Sequence, residues 1–183
     1  MDNRISSVIK RSLKVLTSYI MTLTVFSVFS ITVVGLGKDS VPYIMPWLSF
    51  VIFWLLFFSV YVEMKNIAFK EKRPQYNLNP SAFKGLLYGL IGIIPIAVVQ
   101  IMILIIRVPA DFEGPKKRLL QFLTGPLYWI AKLFGNATYL YLVAPLAIIV
   151  IAFLGYYAGH YEFNVMTWIG KKLGKKKIKK GKA

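Results

Sequence analysis

The chain has no cysteine, a single histidine and only seven acidic residues. Without cysteine it forms no disulfide and offers no thiolate metal ligand or cysteine nucleophile. Few side chains remain for acid-base catalysis, which relies mostly on His, Asp and Glu. The sequence also has no phosphate-binding glycine loop and no HExxH or GxSxG motif. These absences remove the commonest hydrolase and nucleotide-binding chemistries.

What is abundant is apolar sequence. Hydrophobic residues make up 57% of the 183 positions, and they fall in long blocks rather than in amphipathic periods. The 23 Lys and Arg residues lie mainly between and beyond these blocks. Blocks of about 20 apolar residues with almost no charge are typical of membrane helices. The sequence therefore predicts an all-α, polytopic membrane helix bundle that contacts anionic headgroups.

Four transmembrane helices are predicted from these blocks. The first is too long for a cleaved signal peptide and lacks a small-residue cleavage site. The third follows Asn79-Pro80, an N-cap residue with a proline at the first helical position. The fourth has tyrosines at both ends, where rings prefer the headgroup level. The predicted spans are about residues 15–36, 45–62, 85–106 and 139–158 of the sequence.

The distribution of charge predicts the orientation. With the N terminus inside, seventeen of the 23 basic residues lie on the inner side. Cytoplasmic segments retain positive charge, whereas translocated segments lose it. We therefore expect a multi-pass cell-membrane protein with both termini in the cytoplasm, formed of one transmembrane domain (residues 1–170) and a lysine-rich cytoplasmic tail (171–183).

The segment from about residue 116 to 135 is less clear-cut. A fifth span is unfavourable because Gly125-Pro126 and Lys132 would lie inside it. An amphipathic hairpin on the outer leaflet is the preferred interpretation, since Leu127, Ile130 and Phe134 share one helical face. A re-entrant hairpin packed on the bundle is the alternative, because irregular backbone is tolerated in a membrane where protein covers it.

Small residues predict where the helices meet. Gly85 and Gly89 form a small-x-x-x-small pair in the third span, and Gly155 and Gly159 form another in the fourth. Such pairs allow close backbone approach between membrane helices. Both pairs lie at the predicted cytoplasmic end, so we expect the third and fourth helices to touch there.

The predicted spans contain no acidic or basic residue, although the first contains seven serine and threonine residues. Gln100 is the only strongly polar side chain well inside a span, and an interhelical hydrogen bond is its expected role. In the first span, Thr17, Thr24 and Ser27 share a face, which we expect to point into the bundle.

Candidates for chemistry form two small clusters. His160 and Glu162 stand two residues apart, so on a helix they point to different faces. The second group, which we call the outer cluster, lies in the predicted outer loop after the third span. It could bind a lipid phosphate or a divalent ion, although such side chains are more often solvated turn residues. We predict no catalytic, cofactor or metal site. The outer cluster consists of Asp111 and Glu113 beside Lys116, Lys117 and Arg118.

The lysine tail has three interpretations. The simplest is a topology anchor that keeps the C terminus inside. The second is binding to anionic lipid headgroups. Attachment to RNA ranks last, so nucleic acid is not an expected partner. The lysines concerned are Lys171, Lys172, Lys175, Lys176, Lys177, Lys179, Lys180 and Lys182.

The layout resembles small uncharacterised four-helix membrane proteins of Gram-positive bacteria. The resemblance rests on Lys84-Gly85-Leu86 with Gly89 and Pro95, and on Pro145, Gly155-Tyr156 and the lysine-rich end. It implies a bacterial plasma membrane and no known activity.

The sequence as a whole favours a non-enzymatic accessory or partner-binding subunit of a membrane complex. Its partners would be membrane lipids together with another membrane protein or a second copy of the chain. An oligomeric channel or small-solute transporter is the first alternative. A lipid-modifying membrane enzyme is the second.

Overall fold

The described residues of this computed structural model, 5–35, 37, 40–73, 81–135 and 137–162, contain helices and no strand. Four helices are long and apolar enough to cross a membrane, and the last is interrupted near its start. The predicted all-α bundle with four such helices is confirmed, and the protein is an integral membrane protein. The helices are α1 (Ile5–Gly35), α2 (Val41–Lys72), α3 (Lys84–Ile105), α4 (Glu113–Leu123), α5 (Tyr128–Leu133), α6 (Leu140–Val143) and α7 (Leu146–His160).

One end of the bundle extends further than the apolar blocks predict. α1 begins at Ile5 rather than near residue 15, and α2 continues to Lys72 rather than ending near residue 62. The added part of α2 is amphipathic, because it buries Met64, Ile67 and Ala68 and exposes charged side chains on the other side. We call this end, where α1 and α3 begin and α2 and α7 end, the basic end. The opposite end is the far end.

The four long helices form a ring in the order α1, α2, α7 and α3. α1 and α3 run from the basic end to the far end, whereas α2 and α7 run back. Each helix therefore has one parallel and one antiparallel neighbour in the ring. The parallel pairs are α1 with α3 and α2 with α7. The short helix α6 and α7 together make up the fourth span, Leu140–His160, with a break where Pro145 precedes α7.

The glycine pair of α3 lies against α7. A Cβ atom on Gly89 would stand 2.9 Å from the Cα atom of Ile149, and one on Gly85 would stand 2.8 Å from the carbonyl oxygen of Ala152. Real Cβ contacts are longer, so only glycine allows this approach. The expected contact between the third and fourth membrane helices is present in the structure.

The glycine pair of α7 has a different neighbour from the one we expected. A Cβ atom on Gly155 would stand 2.6 Å from the carbonyl oxygen of Tyr61, and one on Gly159 would stand 2.5 Å from that of Lys65. Both contacts are with α2, not α3. The two glycines of α7 lie on a face turned away from the one that α3 covers, so each pair serves a separate interface.

The segment after α3 is a re-entrant hairpin, and the preferred outer-leaflet interpretation is wrong. Its turn, the one-turn 3₁₀ helix Gly125–Leu127, is buried. Gly125 lies directly against the ring of Phe26, nine residues from the end of α1, or about 14 Å along the helix axis. The backbone therefore enters the bundle because neighbouring helices cover it.

Side chains of α1 and α2 satisfy the backbone of this turn. The Tyr19 hydroxyl donates a hydrogen bond to the carbonyl oxygen of Leu123. Ser49 Oγ donates to the carbonyl oxygen of Gly125 over 2.7 Å and accepts from the backbone N–H of Trp129 over 3.1 Å. Unpaired backbone groups are very unfavourable inside a membrane, so these bonds make the irregular turn possible.

The prediction that the hydroxyl face of the first span points into the bundle is wrong. Thr17 and Thr24 are exposed, and each donates a hydrogen bond to a carbonyl oxygen one turn earlier in α1. Because those bonds satisfy the hydroxyls within the helix, they can face lipid at little cost. The face that points inward instead carries Arg11, Ser12, Val15, Ser18, Tyr19, Thr22, Phe26, Ser30 and Val33.

The Gly159 contact predicts the effect of one added methyl group. Gly159→Ala should lower the stability of the purified protein by about 1–3 kcal/mol, because α2 must move away from α7. Gly114→Ala is the matched control, since nothing lies within 4 Å of that position in α4 and alanine favours a helix over glycine. Thermal unfolding in detergent measures both. A Gly159→Ala protein as stable as wild type would contradict the close approach.

Candidate functional site

The basic end contains a buried carboxylate, Glu71, in the last turn of α2. Its side chain has no exposed surface. Glu71 stands seven residues after Met64 and three after Ala68, so the three side chains share one helical face. Met64 and Ala68 belong to the hydrophobic core. The inward face of α2 therefore carries the carboxylate into the bundle.

Side chains from the other three membrane helices surround this carboxylate. Arg11 of α1 donates from Nη1 to Oε1 of Glu71, and the Tyr88 hydroxyl of α3 donates to the same oxygen over 2.6 Å. The Tyr156 hydroxyl of α7 donates to Oε2 over 2.6 Å. Lys84 Nζ, at the start of α3, lies 3.8 Å from Oε2. We call these five residues the Glu71 cluster.

The Glu71 cluster compensates a charge that would otherwise be very unfavourable. An ionised carboxylate removed from water requires charge partners and hydrogen bonds to its oxygens. Here each oxygen of Glu71 accepts at least one tyrosine hydroxyl and has a cationic neighbour. The two cations, Arg11 and Lys84, outnumber the one carboxylate. The cluster therefore retains a net positive charge.

Arg11 uses only part of its guanidinium group. Its Nη1 contacts Glu71 and also donates to the Tyr88 hydroxyl over 3.0 Å. Its Nε and Nη2 atoms are buried and have no hydrogen-bond partner among the described residues. A buried donor without a partner costs about 1–3 kcal/mol. One edge of the Arg11 group thus has no acceptor among the described residues.

Close helix packing brings the members of the cluster together. A Cβ atom on Gly85 would stand 2.5 Å from the Cβ atom of Tyr156. One on Gly92, further along α3, would stand 2.8 Å from the carbonyl oxygen of Ser12. α3 therefore lies close to α1 and α7 at this level, so side chains from α1, α3 and α7 all reach Glu71.

The outer cluster predicted from the sequence lies at the far end. Asp111 and Glu113 are exposed. Lys116 Nζ instead donates to the carbonyl oxygens of Leu104 and Ile106, over 2.8 and 2.7 Å. Those carbonyls end α3 and lack partners within the helix. Lys116 therefore caps α3 and joins it to the base of the hairpin. Among the described residues, no three His, Asp or Glu side chains gather as metal ligands.

His160 and Glu162 lie at the basic end but do not pair with each other. Glu162 forms an ion pair with Lys72 at 3.0 Å. Its backbone has a φ of 53°, a left-handed conformation that closes α7 and is unusual outside glycine. The His160 ring contacts that of Tyr161 with its centroid 5.1 Å away. The structure thus places Glu162 against α2.

Gln100 of α3 is fully buried where the hairpin turns. Its Nε2 atom donates to Thr124 Oγ1 over 3.3 Å, and that hydroxyl donates to the carbonyl oxygen of Leu120. An interhelical hydrogen bond is the role that the sequence predicted for it. The tail lysines, Lys171 to Lys182, lie outside the described residues.

Sequence reasoning missed the Glu71 cluster because Arg11 and Glu71 lie outside the four apolar blocks. The signal that could have found Glu71 is the spacing of Val60, Met64, Ala68 and Glu71, which continues one helical face past the end of the block. The sequence does not distinguish Tyr88 and Tyr156 from other tyrosines in the spans, because their role depends on hydrogen bonds to Glu71. Comparison with known proteins adds no assignment: no protein-family model, curated protein or solved structure matches the chain.

The Glu71 cluster predicts a large effect of a small substitution. Glu71→Gln keeps the shape of the side chain but leaves Arg11 as a buried charge without its counter-ion. We expect a loss of about 3–5 kcal/mol in the free energy of unfolding, measured by denaturant titration in detergent.

Glu63→Gln is the control for that variant. Glu63 pairs with Lys14 at 3.0 Å, and both side chains are well exposed, at 40% and 49%. Exposed pairs contribute about 0–1 kcal/mol. Equal losses for the two variants would show that the Glu71 cluster does not hold the bundle together.

Proposed function

We propose that the protein is a non-enzymatic membrane subunit that binds a partner protein at its basic end, among anionic lipid headgroups. The single observation that carries the proposal is the charge distribution at that end. Among the described residues there, the one buried carboxylate already accepts hydrogen bonds from the bundle's own donors, while most of the cations remain on the surface. The exposed or half-buried cations of the described part are Lys10, Lys14, Lys65, Lys70, Lys72, Arg73 and Lys84.

Two exposed carboxylates balance only part of this surface. Glu63 pairs with Lys14, and Glu162 pairs with Lys72, each at 3.0 Å. An open groove of about 620 Å³ lies between the ends of α2 and α7. Its cations exceed its single carboxylate, so it suits an acidic partner surface or a phosphate group. The groove is lined by Asn66, Phe69, Lys70, Lys72, Arg73 and Glu162.

The orientation and the location belong to the same proposal. If cytoplasmic segments keep the positive charge, the basic end faces the cytoplasm and both termini lie there. The lysine tail would then extend this surface, as an anchor and as a ligand for anionic headgroups. A bacterial plasma membrane is the location that the resemblance implies.

The geometry favours this function over a lipid-modifying enzyme. Such an enzyme would bring the carboxylates of Asp111 or Glu113 together with His160 at one depth. Asp111 and Glu113 follow the far end of α3, whereas His160 ends α7 at the basic end. The length of α3, 22 residues, or about 33 Å, separates them.

The geometry also disfavours a water path along α1 and Gln100. The hairpin turn occupies the space between α1, α2 and α3, with Leu127 in the main hydrophobic core. Gln100 bonds to Thr124 of that hairpin. The polar groups that would line a path for a solute thus hold the hairpin in place instead.

One pair of cysteine variants tests the orientation and the partner together. The chain has no cysteine, so Ser81→Cys at the basic end and Gly114→Cys at the far end carry the only thiols. Both positions are exposed. In intact cells, a membrane-impermeant maleimide should label Gly114→Cys and not Ser81→Cys. The reverse pattern would contradict the proposed orientation.

The same variants carry a maleimide-benzophenone cross-linker in opened native membranes. We expect illumination to give a discrete adduct of constant mass from Ser81→Cys and none from Gly114→Cys. The Gly114→Cys protein controls for collisions in the membrane. Adducts from both ends in equal amount, or from neither, would contradict a partner at the basic end.

A further inference from the structure

We propose that the Nε–Nη2 edge of Arg11, which has no partner among the described residues, binds a phosphate group, and that its source is the headgroup of an anionic phospholipid. The inference rests on the proposed function only in taking the basic end to lie among headgroups. Its observations are independent: the two unused nitrogens of Arg11, the charge of the Glu71 cluster and the depth of that cluster.

The unused atoms of Arg11 are the pair that binds an oxyanion through two of its oxygens. Nε and Nη2 form one edge of the guanidinium group, and their N–H bonds are parallel. Carboxylates and phosphates accept from such an edge through two hydrogen bonds at once. Both atoms are buried without a partner among the described residues, and the whole residue is only 5% exposed. Buried unpaired donors in a folded protein call for a ligand or an ordered water.

The charge of the cluster selects an anion over water. Arg11 and Lys84 carry two positive charges against the one negative charge of Glu71. The other described carboxylates at the basic end, Glu63 and Glu162, are in surface ion pairs, and Asp111 and Glu113 lie at the far end. A phosphodiester carries one negative charge and would neutralise the excess. Its oxygens would also complete the hydrogen bonds of Arg11.

The depth of the cluster matches a lipid phosphate. Glu71 is the residue before the last of α2, and Lys84 is the first of α3. The ends of membrane helices lie near the headgroup layer. The side chain of Lys84 is 23% exposed, so the cluster reaches the surface of the bundle on that side.

Thermal unfolding of the purified full-length protein, in a phosphate-free detergent buffer, tests the site. The probes are dihexanoyl-phosphatidylglycerol, inorganic phosphate and dihexanoylglycerol, which has the same acyl chains without phosphate. Arg11→Lys keeps a cation beside Glu71 but removes the two-donor edge. Arg107→Lys makes the same substitution at an exposed arginine after the far end of α3 and leaves that edge intact.

We expect phosphatidylglycerol to raise the unfolding temperature of the wild type and dihexanoylglycerol to leave it unchanged. The apparent affinity should fall at least tenfold in Arg11→Lys and stay within twofold in Arg107→Lys. A response to inorganic phosphate alone would support an oxyanion site at Arg11 but overturn the assignment of a lipid headgroup as its ligand. It would also remove this support for headgroup binding at the basic end. No response to either phosphate probe, or equal responses in wild type and Arg11→Lys, would overturn the proposal.

A second measurement serves if Arg11→Lys does not fold. The chain has five arginines, so the Nε–H signals of ¹⁵N-arginine-labelled wild type are few. A buried Nε–H exchanges slowly with solvent, and that signal should shift with phosphatidylglycerol and not with dihexanoylglycerol. A slowly exchanging Nε–H signal that shifts with neither probe would overturn the proposal that Arg11 binds the lipid phosphate.

Discussion

A carboxylate without exposed surface, inside a membrane bundle, has to be matched by donors on every side. Glu71 is matched by one donor or more from each of the other three membrane helices: Arg11, Tyr88, Tyr156 and Lys84. In lipid the hydrophobic effect gives helices little reason to associate, so close packing at small residues and polar contacts must fix their rotation. The Glu71 cluster is such a contact, because only one rotation of α1, α3 and α7 brings all the donors to the same carboxylate.

The far end is organised by a different constraint, the hydrogen bonding of irregular backbone. The hairpin turn at Gly125 enters the bundle because the hydroxyls of Tyr19 and Ser49 donate hydrogen bonds to its backbone carbonyl oxygens. Lys116 then joins the base of the hairpin to the end of α3. The two ends thus differ in kind: one is fixed by ionic contacts and offers cations at the surface, and the other is closed by a covered turn. That difference is the reason for proposing a partner site at the basic end.

The sequence was sufficient for features that depend on local composition. Four apolar blocks predict four membrane helices, and Gln100 predicts an interhelical hydrogen bond. It was insufficient where the outcome depends on residues far apart in the chain. Whether the turn at Gly125 lies on the membrane or enters the bundle depends on Tyr19 and Ser49, more than 70 residues earlier. The helix that Gly155 and Gly159 contact depends likewise on the position of α2. The burial of Glu71 was not recognised because a charged residue after an apolar block normally marks the end of a membrane span.

A double-mutant cycle on Arg11 and Glu71 tests the central claim most directly. Arg11→Met and Glu71→Leu each leave one buried group without its main partner, whereas the double variant replaces the pair with apolar side chains. If the contact organises the bundle, the double variant should be more stable than the sum of the single losses predicts, by about 2–3 kcal/mol in the free energy of unfolding. Losses that add to within about 0.5 kcal/mol would show that the two residues act independently, and the account would fail.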